Sequence, residues 1–157
     1  MLKDIDPLLI PELLAVLAEM GHGDELVLCD ANFPAEAIAR STTHRRPVRL
    51  AGADAPAAAR AILSLLPLDV DSPARRMEVS GDPESLPAVQ HEVQAAVDAA
   101  LGRPSSMSPV ERFAFYDASR RAYAVVATGE RRLWGCFAFT KGVVHPREES
   151  FESDERR

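Results

Sequence analysis

Cysteine is nearly absent from this chain: there are two, Cys29 and Cys136, far apart and each set in an apolar stretch. Neither CxxC spacing nor a neighbouring histidine pair accompanies them, which argues against a metal cage and for reduced, structural thiols. Basic residues are also short, 18 Lys and Arg against 24 Asp and Glu, for a net charge of −6. That balance keeps a protein in solution and opposes wrapping a phosphate backbone, so nucleic acid is not an expected partner. No apolar run approaches the ~20 residues that span a bilayer. The start, Met1-Leu2-Lys3-Asp4-Ile5-Asp6-Pro7, lacks a basic opening followed by an apolar block. Neither a membrane nor an export signal is expected, and a cytoplasmic protein is. Gly-x-Ser-x-Gly does not occur, and Gly21-His22-Gly23 lacks the third glycine of a dinucleotide loop. Serine acyl chemistry and hydride transfer therefore lose their usual signatures.

What remains, in 157 residues, is enough for one domain with one substantial core. Residues 11–20 form an amphipathic helix with Leu13, Leu14, Leu17 and Met20 in one stripe, Pro11 in its first turn and Gly21 at its carboxyl end. Residues 26–29 are too short and too uniformly apolar for a helix and read as a strand buried on both faces. Further on, the sequence predicts short helical residues 35–40, a strand at 47–50, and an alanine-rich helix at 55–66 capped by Asp54. A third strand at 75–79 precedes the longest helix, 83–101, whose apolar residues recur at three- and four-residue steps. Ser108 then caps a helix over 109–121, and strands at 123–128 and 136–140 close the domain. Alternating strands and helices predict a single three-layer α/β domain with a small central sheet over residues 1–144. The charged residues 145–157 are expected to be a disordered tail.

Chemistry-bearing residues gather at a few points. His22 stands between two glycines, which free the backbone and bring the imidazole to a loop rim, and histidine is the side chain that exchanges protons near neutral pH. Asp30 falls where the first strand ends, and in open α/β sheets ligands collect beyond the carboxyl ends of strands. The two flank one strand from opposite ends, so either a loop folds back over the sheet or a second copy completes the site. Arg112 and Tyr116, four apart, share a helical face where a guanidinium and a phenol can meet one oxygen-rich ligand. Against that, Tyr116 could pack into the core with Phe113 and Arg112 could pair with a surface carboxylate. Trp134, just before the last strand, offers an indole face suited to a sugar ring, although a lone tryptophan more often serves a core or an interface. Asp69, in a connection after a helix, reads as a loop residue on its own.

The residues also carry a resemblance. Pro11-Glu12-Leu13-Leu14, then Met20-Gly21-His22-Gly23-Asp24-Glu25 and Asp30-Ala31-Asn32-Phe33-Pro34-Ala35, resemble the start of the L-fucose mutarotases, relatives of the D-ribose pyranases. The likeness continues in Leu65-Leu66-Pro67-Leu68-Asp69, Glu111-Arg112-Phe113-Ala114-Phe115-Tyr116, Ala124-Val125-Val126-Ala127-Thr128-Gly129-Glu130 and Lys141-Gly142-Val143. It implies a three-layer α/β fold of the ribose pyranase/fucose mutarotase type. It also implies an isomerase that interconverts the anomers of a free monosaccharide with no cofactor and no metal. Homo-oligomeric rings, decamers in relatives, would place sites at subunit contacts. Carried to matching positions, it makes His22 the proton donor and Asp30 and Asp69 ligands or proton-transfer partners. Arg112 becomes a sugar ligand and Tyr116 a hydroxyl partner near the reacting carbon. Where the family has Tyr-Gly-Asn gripping the sugar, this chain has Trp134-Gly135-Cys136. That departure leaves two alternatives open: a mutarotase or pyranase for another sugar such as ribose, or a sugar-binding protein without turnover.

Overall fold

The computed structural model describes residues 1–146. Helix α1 (Pro11–Glu19) leads into strand β1 (Glu25–Cys29), and the short helix α2 (Ala35–Ala39) into β2 (Pro47–Leu50). Then come α3 (Ala55–Leu63), β3 (Ala74–Met77), α4 (Ala88–Leu101), β4 (Ser108–Val110), α5 (Arg112–Ser119), β5 (Ala124–Thr128) and β6 (Phe137–Thr140). The strands form one six-stranded sheet in the order β2-β5-β1-β6-β3-β4. β5 is parallel to β1 and β2, β3 is parallel to β4, and β6 runs antiparallel to both its neighbours, β1 and β3.

The two-residue period of a strand sorts the side chains into two cores. Leu26 and Leu28, Ala124 and Val126, and Phe137 and Phe139 face α1, α3 and α4. Val27 and Cys29, Val125 and Ala127, and Cys136 and Ala138 face the opposite layer, where Ile38 of α2 and Phe115 of α5 pack. The expected three-layer α/β domain is therefore present, with both cysteines buried and free on the same face of the sheet. β1 is buried on both faces because a neighbour covers each.

Three elements differ from expectation, each for a local reason. The long helix starts at Ala88 rather than 83, because Pro87 has no N–H to contribute and drives Leu86 out of helical geometry. Residues 109–121 are not one helix: Ser108–Val110 is an edge strand, a place where Pro109 is tolerated, and the helix begins after it. Its cap is accordingly Glu111, whose side chain accepts the N–H groups of Phe113 and Ala114, and not Ser108. Asp54 does cap α3, accepting from Ala57 at 2.8 Å. The tail expected at 145–157 lies, beyond its first two residues, outside the described residues. Among the described residues no helix is long and apolar enough to cross a membrane.

Candidate functional site

Because β1, β3 and β4 run the same way, their carboxyl ends open on one side of the sheet, where antiparallel β6 begins. There a cavity of about 200 Å³ is lined by Asp30, Arg112, Tyr116, Trp134 and Cys136. Asn32, Phe33, Met77 and Leu133 complete its wall. Each polar group is delivered by an element's end. β1 hands over to Asp30, whose Oδ1 accepts the N–H groups of Asn32 at 3.0 Å and Phe33 at 3.1 Å and so fixes the turn. The Glu111 cap starts α5 so that Arg112 and Tyr116 fall on its first turn and its next, both reaching the cavity. Gly135 connects Trp134 to Cys136 and is buried.

The electrostatics suit neutral oxygen-rich ligands. Arg112 Nε is buried and has no hydrogen-bond partner among the described residues, while the guanidinium carbon lies 4.8 Å over the Phe113 ring. A buried donor left unpaired is costly, so the site as built asks for an acceptor. Phe113 is 61% exposed, so it does not itself enter the core. Tyr116, half-buried against the second core, meets Phe33 edge to face at 5.3 Å between centroids and Phe113 edge to face at 6.0 Å. Burial foremost pushes the Tyr116 phenol up, with the Asp30 carboxylate adding to it and Arg112 opposing. The Cys136 thiol is pushed well above its ordinary value by burial and by Asp30. At neutral pH both are therefore protonated: a phenol that can donate and a thiol that is no nucleophile.

His22 and Asp69 are not in this cavity. They lie at the other end of the sheet, where β1 begins, with His22 Nε2 3.5 Å from Asp69 Oδ1. Gly23, at φ +84, turns the chain there in a conformation that suits glycine, and leaves the His22 side chain 63% exposed. Asp69 Oδ2 accepts from Ser72 N–H at 2.8 Å and Asp71 N–H at 3.1 Å. Those donors, Ser72 foremost, together with His22 hold its carboxyl below the usual range. Lys141 ties both loops together. Its N–H donates to Asp24, its carbonyl accepts from Gly23, and its Nζ donates to Leu17 and Met20 carbonyls at the end of α1. Next to it Gly142 is pressed against the Asp69 connection, where a Cβ would lie 2.4 Å from Leu68 O.

Several residues that shape the site had no role assigned to them from the sequence. Glu130, buried at the end of β5, accepts from Ala55 N–H at the start of α3 and from the backbone and guanidinium of Arg132. Arg132 also makes a two-point pair with Glu92 of α4, so the loop leading to Trp134 is anchored on both sides. Gln90 is fully buried beneath the same loop. One signal could have found it: Gln90 lies three residues before Val93 and seven before Val97, a polar residue on the apolar stripe of α4. Among the described residues, no group of three or more histidine, cysteine, aspartate or glutamate side chains could hold a metal ion.

Comparison with known proteins adds the following. Residues 3–144 match the RbsD / FucU transport protein family. The fucose mutarotase of Danio rerio is 43% identical over 151 residues, covering 94% of this chain and 97% of its own. Among solved structures, protein Atu2016 is 48% identical with a TM-score of 0.90, covering 92% of this chain and 97% of its own. The fucose mutarotase of Streptococcus pneumoniae, solved in complex with L-fucose, is 38% identical with a TM-score of 0.81, covering 92% of this chain and all (100%) of its own.

Proposed function

The chain belongs to the RbsD / FucU transport protein family, and from that membership we propose that it is a sugar mutarotase interconverting the α and β anomers of L-fucose. The observation that carries this reading is the convergence of Asp30, Arg112, Tyr116, Trp134 and Cys136 on one cavity, with the buried Nε of Arg112 lacking a hydrogen-bond partner among the described residues.

The chemistry asked of such a site is modest. A base removes the proton of the anomeric hydroxyl as an acid delivers one to the ring oxygen, and the ring C–O bond breaks to leave an open-chain aldehyde. The aldehyde turns about its C–C bond and recloses on the other face, with both protons returned. Net charge and oxidation state are unchanged, so acid and base groups suffice, each worth about 10²- to 10⁴-fold in rate. In our reading Arg112 Nε takes a sugar oxygen, Asp30 accepts from sugar hydroxyls with the lone pairs its turn leaves free, and Tyr116 faces the reacting carbon as a proton donor. The indole of Trp134 stacks on the apolar face of the sugar, with Gly135 and Cys136 closing the wall.

His22 is the principal acid–base group, oriented by the ionised Asp69. It belongs to a site that two copies of the chain share. The five residues of β1 separate it from Asp30 by roughly 16 Å within one chain, more than a monosaccharide bridges. Its exposed ring is free to enter a neighbour's cavity, so a homo-oligomer, a closed ring by extension, completes the site. A cytoplasmic setting agrees with two buried free thiols. The test is magnetisation-transfer NMR on equilibrated L-fucose with ribose and other aldoses as a panel. Exchange faster than buffer, greatest for L-fucose, is expected; exchange no faster than buffer for every sugar would refute the proposal.

A further inference from the structure

We propose that Gln90 is a positioning residue that sets the indole wall of the cavity and through it the fit of the sugar; this rests on the reading of the cavity as a sugar site. Gln90 is 0% exposed, on the inner face of α4. Its Nε2 donates to Met77 O at 2.7 Å and to Trp134 O at 2.9 Å, and its Oε1 accepts from a guanidinium nitrogen of Arg76 at 3.2 Å. Arg76 is itself buried and donates onward to the carbonyls of Pro83 and Ser85. This leaves the amide no choice of orientation. Two carbonyls demand its NH₂ and a guanidinium demands its oxygen, so a flipped amide would fail at all three contacts.

Both carbonyls that Gln90 holds belong to residues lining the cavity, Met77 on one wall and Trp134 on another. Trp134 has a φ of +66, a conformation that side-chain-bearing residues leave unless their surroundings hold them. The Gln90 contact to its carbonyl is one such hold, and fixing that carbonyl fixes the direction in which the indole leaves the backbone. An amide and a guanidinium buried together in an otherwise apolar layer are an expensive way to fill space. Holding two walls of a binding site in register gives them a reason.

Because Trp134 is the single tryptophan of the chain, its emission reports on this wall alone. Gln90→Glu keeps the acceptor for Arg76, and so keeps the core paired, but removes the donors to Met77 and Trp134. Gln90→Met removes all three contacts. In the full-length protein, each variant is expected to red-shift the emission, raise quencher access, and raise KM for L-fucose about tenfold with kcat within about threefold. Adding either change to Trp134→Gly should weaken fucose binding by much less than the same change does in the unaltered protein, since only the Met77 wall is left for it to act on. A folded variant with lowered Tm but unchanged emission and KM would overturn the proposal, as would losses that add in the double variants. If the unaltered protein exchanges no sugar, the mutarotase reading fails by itself. The emission of the Gln90→Glu variant then decides the positioning, a shift supporting it and an unshifted spectrum overturning it.

Discussion

His22 Nε2 stands 3.5 Å from Asp69 Oδ1 where β1 begins, and neither side chain lines the cavity that Asp30 closes where the same strand ends. A single copy thus carries His22 and Asp69 on one end of its sheet and Asp30, Arg112, Tyr116 and Trp134 on the other.

Replacing His22 should remove chemistry and leave binding. His22→Ala is expected to slow L-fucose anomer exchange by about 10²- to 10⁴-fold, with Tm unchanged because the ring is largely exposed. Asp69→Asn should give a smaller loss of the same kind. Exchange NMR with a thermal melt checks both, and a His22→Ala protein of full rate would remove the imidazole from the mechanism.

Replacing Arg112 should do the reverse. Arg112→Met deletes the buried unpaired Nε, so sugar affinity should fall by 1–3 kcal/mol, about 5- to 150-fold, while the apo protein is no less stable. Arg112→Lys should not restore affinity, since an ammonium cannot offer the guanidinium's geometry. Isothermal titration with L-fucose measures both.

Glu130 ties stability to pH. The Arg132 guanidinium, with the Arg132 and Ala55 N–H groups, depresses its carboxyl from 4.5 to about 2 in the folded protein. A group whose folded value is depressed contributes fully above its unfolded value and loses that contribution as pH falls through the folded one. Stability should therefore hold above about pH 4.5 and decline toward pH 2. Glu130→Gln should cost about 1.5–3 kcal/mol at pH 7, the scale of a hydrogen bond to a charged group, because the Arg132 side chain is 41% exposed, and should flatten the decline. Urea melts across that range compare the two.

Lys141 holds the His22 loop to the end of α1 and to the Asp69 connection. Lys141→Met keeps the stem but drops both carbonyl contacts, and exchange should slow about tenfold as two hydrogen bonds to a charged donor are lost. Fucose affinity should stay unchanged, because the cavity lies at the other end of the sheet. Titration and exchange on one sample separate the two effects.

Much of this was legible in the residues. The alternation of strand and helix gave three layers, Asp30 followed its strand into the cavity, and the four-residue step from Arg112 brought Tyr116 in beside it. Spacing could not show that residues 108–110 pair with β3, because an edge strand of three residues has no period to read. The roles of Glu130 and Lys141 escaped for a related reason: each bonds main-chain groups distant in sequence, which side-chain pattern does not record, whereas Gln90 left one trace, a polar residue on the apolar stripe of α4. The pairing of His22 with Asp69, 47 positions apart, came only with the resemblance and the fold.

If one copy's His22 works in another copy's cavity, subunits crippled at different residues restore together what neither has alone. Inactive His22→Ala and Tyr116→Phe proteins, unfolded together and refolded at equal ratio, regain exchange at about a quarter of sites if random neighbours complete them. That recovery on L-fucose is the expected result. Mixed assemblies that form yet stay as slow as either parent would contradict it, since His22 and Tyr116 would then have to act within the same chain.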